Sequence, residues 1–152
     1  MYDILVRDAN IDGSLTDIAV EGGRVVAMGQ GLAGTAAVTF DAAGRVTVPG
    51  LVDCHLHMDK SLLNERAAYV DGTGAEKGAL TREEKAKFTV EDITERAERI
   101  IQRELKSGAV AVRTNVDVDA IVGLKGIQAL LALREKYRGK ITIQVAAFSQ
   151  EG

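Results

Sequence analysis

The segment GAVAVRTNVDVD, residues 108–119, alternates apolar and polar side chains over its whole length. A period of two is that of a β-strand, and it puts every second residue from Val110 to Val118 on one face. Apolar residues recur at helical spacing on both sides of this strand, in residues 89–106 and about 120–137. The chain must therefore place a strand between two amphipathic helices, which is the repeating pattern of α/β proteins.

Two further strand patterns extend this alternation. LVDCHLHMD (residues 51–59) precedes the first helix, and KITIQVAAFSQEG (residues 140–152) follows the second. The order strand–helix–strand–helix–strand predicts parallel strands joined by right-handed crossovers. A closed (β/α)₈ barrel takes about 250 residues. The chain therefore has too few units to close a barrel, although its units could be the first three of one.

Each predicted helix has one apolar face, and residues typical of helix ends flank the first. Thr89 and Asp92 have the spacing of a capping box at its start, and Gly108 follows its end. The inner positions are Ile93, Ala97, Ile100, Ile101 and Leu105 in the first helix, and Val122, Leu124, Ile127, Leu130 and Leu131 in the second.

The first 48 residues carry short strand patterns separated by turn residues. TDIAVEGGRVVAMG is typical of a β-hairpin that turns at residues 21–23, and VTFDAAGRVTV repeats the pattern with residues 41–44 as its turn. We expect residues 1–48 to form a small β-sandwich-like subdomain and residues 49–152 to form a partial barrel domain. Within the latter, the polar, glycine-bearing residues 60–80 are predicted to be a functional loop or disordered, with a helical turn beginning just after them.

Composition narrows the classes of function. Of the 152 residues, 46% are apolar and 27% charged, which is ordinary for a globular protein. A net charge of −3, three Phe, three Tyr and no Trp argue against nucleic-acid binding. The N-terminus lacks the apolar core of a signal peptide, and no apolar run approaches the about 20 residues of a membrane span. With Cys54 as the single cysteine, no disulfide can form within the chain, and we expect a cytoplasmic protein without a membrane partner.

The only two histidines, His55 and His57, lie two residues apart in one predicted strand. Strict alternation puts them on one face with Asp53 and Asp59, and puts Cys54 on the other. Barrel enzymes place their chemistry at this C-terminal end of a strand, and converging neutral imidazoles suit Zn²⁺ or Fe²⁺. The alternative is a pair of histidines that hydrogen-bond to their neighbours. The strand position, the carboxylates and the long loop that follows favour the metal site.

Three stretches carry a resemblance to a known family. VPGLVDCHLHMDK, preceded by DIAVEGGRVVAMG and FDAAGRV, resembles the N-terminal part of the metal-dependent amidohydrolase superfamily. VRTNVDVD and IQVAAFSQEG resemble the second and third barrel strands of the branch that contains cytosine deaminase and N-isopropylammelide isopropylaminohydrolase, and HMDKS resembles a first-strand motif of that branch. The resemblance implies a β subdomain before an amidohydrolase-type (β/α)₈ TIM barrel, of which this chain would contain the first three β/α units.

The resemblance also implies roles for individual residues. His55 and His57 would bind one catalytic divalent metal ion, Zn²⁺ or Fe²⁺. Gln150 would bind the amide-like edge of a heterocycle, because a side-chain amide has both a donor and an acceptor. Phe148 and Asn115 would line the same pocket. Members of the branch commonly have histidine where this sequence has Asn115. Because of this difference, the resemblance does not specify which heterocycle is the substrate.

Charged residues near these positions are expected to be structural. Asp59 matches the family motif and would position a metal ligand. Arg113, Asp117 and Asp119 would form a charge network at the barrel mouth, and Asp53 would face inward below the histidines.

The function that the resemblance implies is hydrolysis of a C–N bond by a metal-activated water. Deamination of a cytosine-like or triazine amine is the main expectation, and cyclic-amide hydrolysis is the alternative. The acid/base residues and further metal ligands are expected beyond residue 152, so this chain alone would be inactive. The full-length protein would be a homo-oligomer that acts on a small heterocyclic amine. A non-catalytic half-barrel is the non-enzymatic alternative.

Overall fold

Two compact units make up the chain, Met1–Pro49 and Gly50–Gly152. The computed structural model describes residues 1–66 and 72–150. In the described part of the chain, no helix is long and apolar enough to cross a membrane. The strands are β1 Tyr2–Ile11, β2 Ser14–Glu21, β3 Arg24–Gly29, β4 Ala36–Asp41, β5 Leu51–Leu56, β6 Ala109–Asp117 and β7 Thr142–Phe148. The α-helices are α1 Gly74–Ala86, α2 Val90–Lys106 and α3 Lys125–Lys136.

The first unit contains a four-stranded sheet in the order β3-β2-β1-β4. β2 is antiparallel to both β1 and β3, whereas β4 runs parallel to β1. The hairpin predicted at residues 21–23 is confirmed, because Glu21 pairs with Arg24 across the turn. Gly22 and Gly23 supply the positive φ angles, 57° and 73°, that such a tight turn requires. A second sheet, which a sandwich would need, stays a prediction.

The second predicted hairpin, around residues 41–44, is wrong. β4 pairs in parallel with β1, and after the turn Val46 forms another parallel bridge with Asn10. After the turn the chain therefore continues in the same direction beside β1 instead of reversing. The N–H of Gly44 donates to the carbonyl of Asp8 at 2.9 Å, so β1 directs this turn from outside the local segment. A turn pattern in the sequence gives no information on such a distant partner.

Asp17 of β2 links the sheet to the loop between β3 and β4. Its buried carboxylate accepts hydrogen bonds from the backbone N–H groups of Asp8 at 3.1 Å and Leu32 at 3.0 Å. The Arg7 guanidinium donates a third, at 2.5 Å. The bonds from Asp8 and Arg7 hold the pKa of the Asp17 carboxyl below its usual range.

The second unit is built on a parallel sheet in the order β5-β6-β7, with α2 and α3 in the connections, as predicted. The alternation in β6 is confirmed from Val112 through Thr114 to Val116, whose side chains are buried. Val110, predicted on the same face, is 51% exposed. The helices cover the buried face with Ile93, Ala97, Ile101, Ala129, Leu130 and Leu133.

α2 has the start and the inner face that the sequence predicts. The side chain of Thr89 accepts a hydrogen bond from the N–H of Asp92 at 3.1 Å. Ile93, Ala97 and Ile101 are fully buried in the core. The N-terminal cap and the apolar spacing therefore agree, which is why this helix could be recognised from sequence alone.

α3 is shorter than predicted. Oδ1 of Asp119 accepts a hydrogen bond from the N–H of Val122 at 2.9 Å, and this local turn delays the helix until Lys125. Leu124 and Leu131, predicted on the inner side, are 57% and 37% exposed. The shifted start explains Leu124, which lies before the helix begins.

α1 begins within the predicted loop, at Gly74, and includes the helical turn that was predicted to begin just after residue 80. Thr73 and Glu76 form a complete capping box at its start. The buried residues of this helix are Glu84 and Lys85, both charged, so it lacks the apolar stripe by which a helix is usually recognised. Residues 67–71 of the predicted loop lie outside the described residues.

Candidate metal and substrate site

The two histidines lie at the C-terminal end of β5. The strand ends at Leu56, and a short 3₁₀ turn, Met58–Lys60, follows His57. The ring centroids of His55 and His57 are 5.3 Å apart. Both side chains line a cleft of about 370 Å³, where they can approach the same ligand. The rest of the cleft wall is formed by Cys54, Arg113, Asn115 and Phe148.

Strict alternation does not hold along β5, and this changes which side chains reach the cleft. Between Asp53 and Leu56 the strand has one residue more than the facing stretch of β6, which is the property of a bulge. Cys54, predicted on the opposite face, consequently lines the same cleft as the histidines. Asp53, predicted to face inward, lies beside Glu104 of α2, and burial together with the Asp53 charge raises the pKa of Glu104. Both expectations based on alternation are wrong.

His57 carries the observation that bears on metal binding. Its Nδ1 is buried and has no hydrogen-bond partner within residues 1–66 and 72–150. A buried polar atom without a partner is unfavourable, and a metal ion is a partner that an imidazole nitrogen accepts readily. In the same residues no group of three or more His, Cys, Asp or Glu could hold a metal ion. The histidine pair thus fits a divalent metal as part of a larger set of ligands.

β6 and β7 bring two of the predicted substrate residues next to the histidines. Asn115 and Phe148 both line the cleft, and the Phe148 ring centroid is 5.6 Å from that of His57. Gln150 lies just past the end of β7, is exposed, and does not contribute to the described cleft wall. Residues 151–152, the end of the FSQEG motif, lie outside the described residues.

Lys60 joins Gln150 to the site, a role that sequence reasoning missed. Its Nζ donates to Oδ1 of Asp117 at 2.8 Å and to Oε1 of Gln150 at 2.5 Å. It also lies 5.7 Å from the centroid of the Phe148 ring. The two hydrogen-bond partners are 57 and 90 positions away in the chain, so no local spacing could have indicated them.

A buried ion-pair cluster lies behind this link. Lys85 of α1 is 1% exposed, and its Nζ contacts Asp119 and lies 2.7 Å from Oδ2 of Asp117. Burial opposes the charged form of Lys85, but its hydrogen bonds to both carboxylates outweigh burial and raise its pKa. Burial likewise opposes ionisation of Asp119, whereas the bond from Lys85 holds the pKa of Asp119 below its usual range. Arg113, predicted in this network, lies in the cleft wall instead.

Asp59 connects the end of the histidine strand to β6. Its buried Oδ2 accepts a hydrogen bond from the backbone N–H of Asp117 at 2.9 Å. Arg96 of α2 donates to the carbonyl oxygens of Asp59 and Ser61, both at 2.8 Å. Burial raises the pKa of Asp59 against the opposing effect of the Asp117 hydrogen bond. The turn after His57 is therefore held by a strand and by a helix.

Comparison with known proteins gives relatives for almost the whole chain, although no protein-family profile matches it. The N-isopropylammelide isopropyl amidohydrolase of Pseudomonas sp. (strain ADP) is 32% identical over 167 aligned residues, which cover 99% of this chain and 39% of that protein. An allantoinase of Escherichia coli O139:H28 is 35% identical over 85 residues, which cover 53% of this chain and 18% of that protein.

A solved structure is similar in both sequence and fold. The 5-methylcytosine deaminase from Klebsiella pneumoniae, liganded with 5-fluorocytosine, superposes with a TM-score of 0.85 and is 32% identical. The superposition covers 97% of this chain and 37% of that chain. The isopropyl amidohydrolase and the deaminase both match nearly all of this chain, and the chain spans well under half of the length of each.

Proposed function

We propose that this chain, which is related to the N-terminal part of the amidohydrolase superfamily, contributes metal ligands and part of the substrate pocket to a hydrolase of C–N bonds. One observation carries the proposal. His55 and His57 face a cleft that Asn115 and Phe148 also line, and Nδ1 of His57 has no hydrogen-bond partner among the described residues. Imidazoles beside an amide and an aromatic ring suit a small, flat, polar heterocycle.

The fold supports a finer proposal about architecture. We infer that β5, β6 and β7 are the first three strands of an amidohydrolase-type (β/α)₈ barrel, within a domain that covers residues 49–152. Residues 1–48 would belong to a β-sandwich-like subdomain. The strands are parallel, and the histidines and Phe148 gather at their C-terminal ends, where barrel enzymes carry their active-site residues.

His55 and His57 would hold one divalent metal ion, and Zn²⁺ and Fe²⁺ both accept imidazole ligands. Such an ion, when bound, lowers the pKa of water enough to provide a nucleophile at neutral pH. Asp59 and Arg96 would contribute by holding the turn after His57, so that this imidazole needs little rearrangement to act as a ligand. Further ligands and the acid/base residues would come from outside the described residues, so the chain alone is expected to be inactive.

The substrate would be a cytosine-like or triazine amine. Phe148 would pack against the face of the ring, while Asn115 and Gln150 would hydrogen-bond to its polar edge. Attack of water at the ring carbon that bears the amine would release ammonia or an alkylamine. A cytoplasmic location is supported by the single cysteine, Cys54, which excludes a disulfide within the chain.

Hydrolysis of a cyclic amide is the second candidate function, and the match to an allantoinase favours it. Both reactions begin with attack of water at a ring carbon, but their products differ. Deamination releases an amine, whereas opening a cyclic amide keeps every nitrogen in one product. An assay for released ammonia or alkylamine therefore separates the two candidates.

The proposal is tested by the intact mass and metal content of the protein purified from its source, followed by substrate screening. We expect a mass above the 16.2 kDa of this chain, about one metal ion per polypeptide, and amine release from cytosine-like or triazine amines. Ring opening without amine release would support the second candidate. A mass of 16.2 kDa with neither metal nor turnover would refute both.

A further inference from the structure

The ammonium group of Lys60 has a fixed position. Its side chain is 13% exposed, and Oδ1 of Asp117 accepts a hydrogen bond from its Nζ at 2.8 Å. The other oxygen of Asp117 lies 2.7 Å from Nζ of the fully buried Lys85. Asp117 is thus held between two cations, and neither carboxylate oxygen is free to turn away from Lys60. A charge-assisted arrangement of this kind restricts the Lys60 side chain far more than a surface contact would.

This fixed ammonium determines the orientation of the Gln150 amide. A lysine ammonium has hydrogen-bond donors and no acceptor, so only the oxygen of an amide can face it. The 2.5 Å contact accordingly joins Nζ of Lys60 to Oε1 of Gln150. The NH₂ end of the amide, with its two donors, is then the end that points away from Lys60, and within the described part of the chain it is the end left for a ligand. Phe148 connects this pair to the cleft, because its ring lies 5.7 Å from Nζ of Lys60 and 5.6 Å from the ring of His57.

We propose that Lys60 is a positioning residue, which holds the Gln150 amide so that its NH₂ group donates to a ring carbonyl oxygen of the substrate. The proposal rests on the function proposed above and adds a rule of selection to it. Heterocyclic amines that carry a ring carbonyl are favoured, because they supply the acceptor that this orientation requires. Without Lys60 the amide can rotate and present either end, so the selection is weakened.

The first test needs no substrate. In the ¹³C,¹⁵N-labelled protein, the side-chain amide signal of Gln150 is identified by its loss in Gln150→Glu. We expect Lys60→Met to shift this signal, because Oε1 loses its charged donor. The exposed Lys140 provides a matched control, and Lys140→Met should leave the signal in place. A Gln150 signal that is the same in the wild type and in Lys60→Met would overturn the proposal.

The second test uses steady-state kinetics with cytosine and with 4-aminopyrimidine, which lacks the ring carbonyl. Lys60→Met should raise KM for cytosine about tenfold, the effect of one lost hydrogen bond, and change kcat less than about threefold. KM for 4-aminopyrimidine should stay the same. The double variant Lys60→Met/Gln150→Ala should match Gln150→Ala alone, because Lys60 acts through Gln150. Additive losses, or equal losses on both substrates, would overturn the proposal.

The two tests separate failure of this proposal from failure of the proposed function. If the wild-type protein hydrolyses neither compound, the proposed substrate class is wrong, and the selection rule fails with it. The amide signal then still decides whether Lys60 orients Gln150. If cytosine is hydrolysed but the effects of the two substitutions add, the proposed function stands and the role of Lys60 is wrong.

Discussion

The backbone N–H of Asp117 donates a 2.9 Å hydrogen bond to Oδ2 of Asp59, and both residues are buried. This bond joins the turn after His57 to the last residue of β6. The end of the histidine strand is therefore positioned by a neighbouring strand 58 positions further along the chain. The turn could not hold this place by itself, since it is a single short turn of 3₁₀ helix.

Substitution of Asp59 tests this bond. Asp59→Ala should lower the free energy of unfolding by about 1–3 kcal/mol, because it leaves the buried N–H of Asp117 without an acceptor. Asp59→Asn keeps the size of the side chain and one acceptor oxygen, so its loss should be smaller. Urea denaturation measures both. Equal losses in the two variants would show that the hydrogen bond is not what matters at this position.

Lys85 should be far more important for stability than a surface lysine. Lys85→Met removes the buried cation that Asp117 and Asp119 share, and we expect a loss of about 3–5 kcal/mol. Lys87→Met is the matched control, because its side chain is 65% exposed and pairs with Glu84. That variant should lose about 0–1 kcal/mol. Similar unfolding midpoints for the two variants in urea would contradict the importance of the buried cluster.

Gly126 of α3 should not tolerate a side chain. A Cβ atom built there would lie 2.6 Å from Cγ1 of the buried Val116, so Gly126→Ala should destabilise the fold by about 1–3 kcal/mol. Gly78 of α1 has nothing within 4 Å of such an atom, and Gly78→Ala should stabilise by up to about 1 kcal/mol through helix propensity. Opposite shifts of the thermal unfolding midpoint are expected. A shift of the same sign in both variants would refute the close contact.

Asp17 should make the stability of the first unit sensitive to acid. The pKa of its carboxyl is lower in the folded chain than the ordinary value of 3.8, so the charged form stabilises the fold above that value. The stabilisation is lost as the pH falls through the folded pKa. Asp17→Asn should therefore be less stable than the wild type at pH 6, and its stability should fall less than that of the wild type as the pH drops below 3.8. Denaturation at several pH values measures this, and Asp12→Asn, in an exposed turn, should keep the wild-type slope.

His57 should be required for metal binding. His57→Asn should weaken binding of Zn²⁺ or Fe²⁺ by more than about 100-fold, since loss of even an outer hydrogen-bond partner costs about 10–100-fold. Competition with a chelator, followed by metal analysis, measures the change. Cys54→Ser is the control variant, because Cys54 lines the same cleft but is not a proposed metal ligand. Unchanged metal affinity in His57→Asn would rule out the proposed metal site.

Features that depend on neighbours along the chain could be predicted from the sequence. The alternation around Val112 and Val116, the cap at Thr89 and the glycine turn at residues 21–23 all agree with the structure. Each rests on a period or a spacing within a few residues, and backbone geometry converts such spacings directly into a strand, a helix or a turn. The parallel strand order followed from the alternation of these elements.

Features that depend on distant partners were decided by the tertiary structure. The extra residue in β5 puts Cys54 and His57 in the same cleft, because pairing with β6 determines the register there. The first half of α1 was missed, since this helix buries Lys85 against carboxylates rather than apolar residues. Lys60 meets Gln150 only after the sheet has formed, across 90 positions of the chain. Periodicity thus determined which elements form, whereas packing between elements determined which polar side chains come together, because such contacts have no fixed spacing along the sequence.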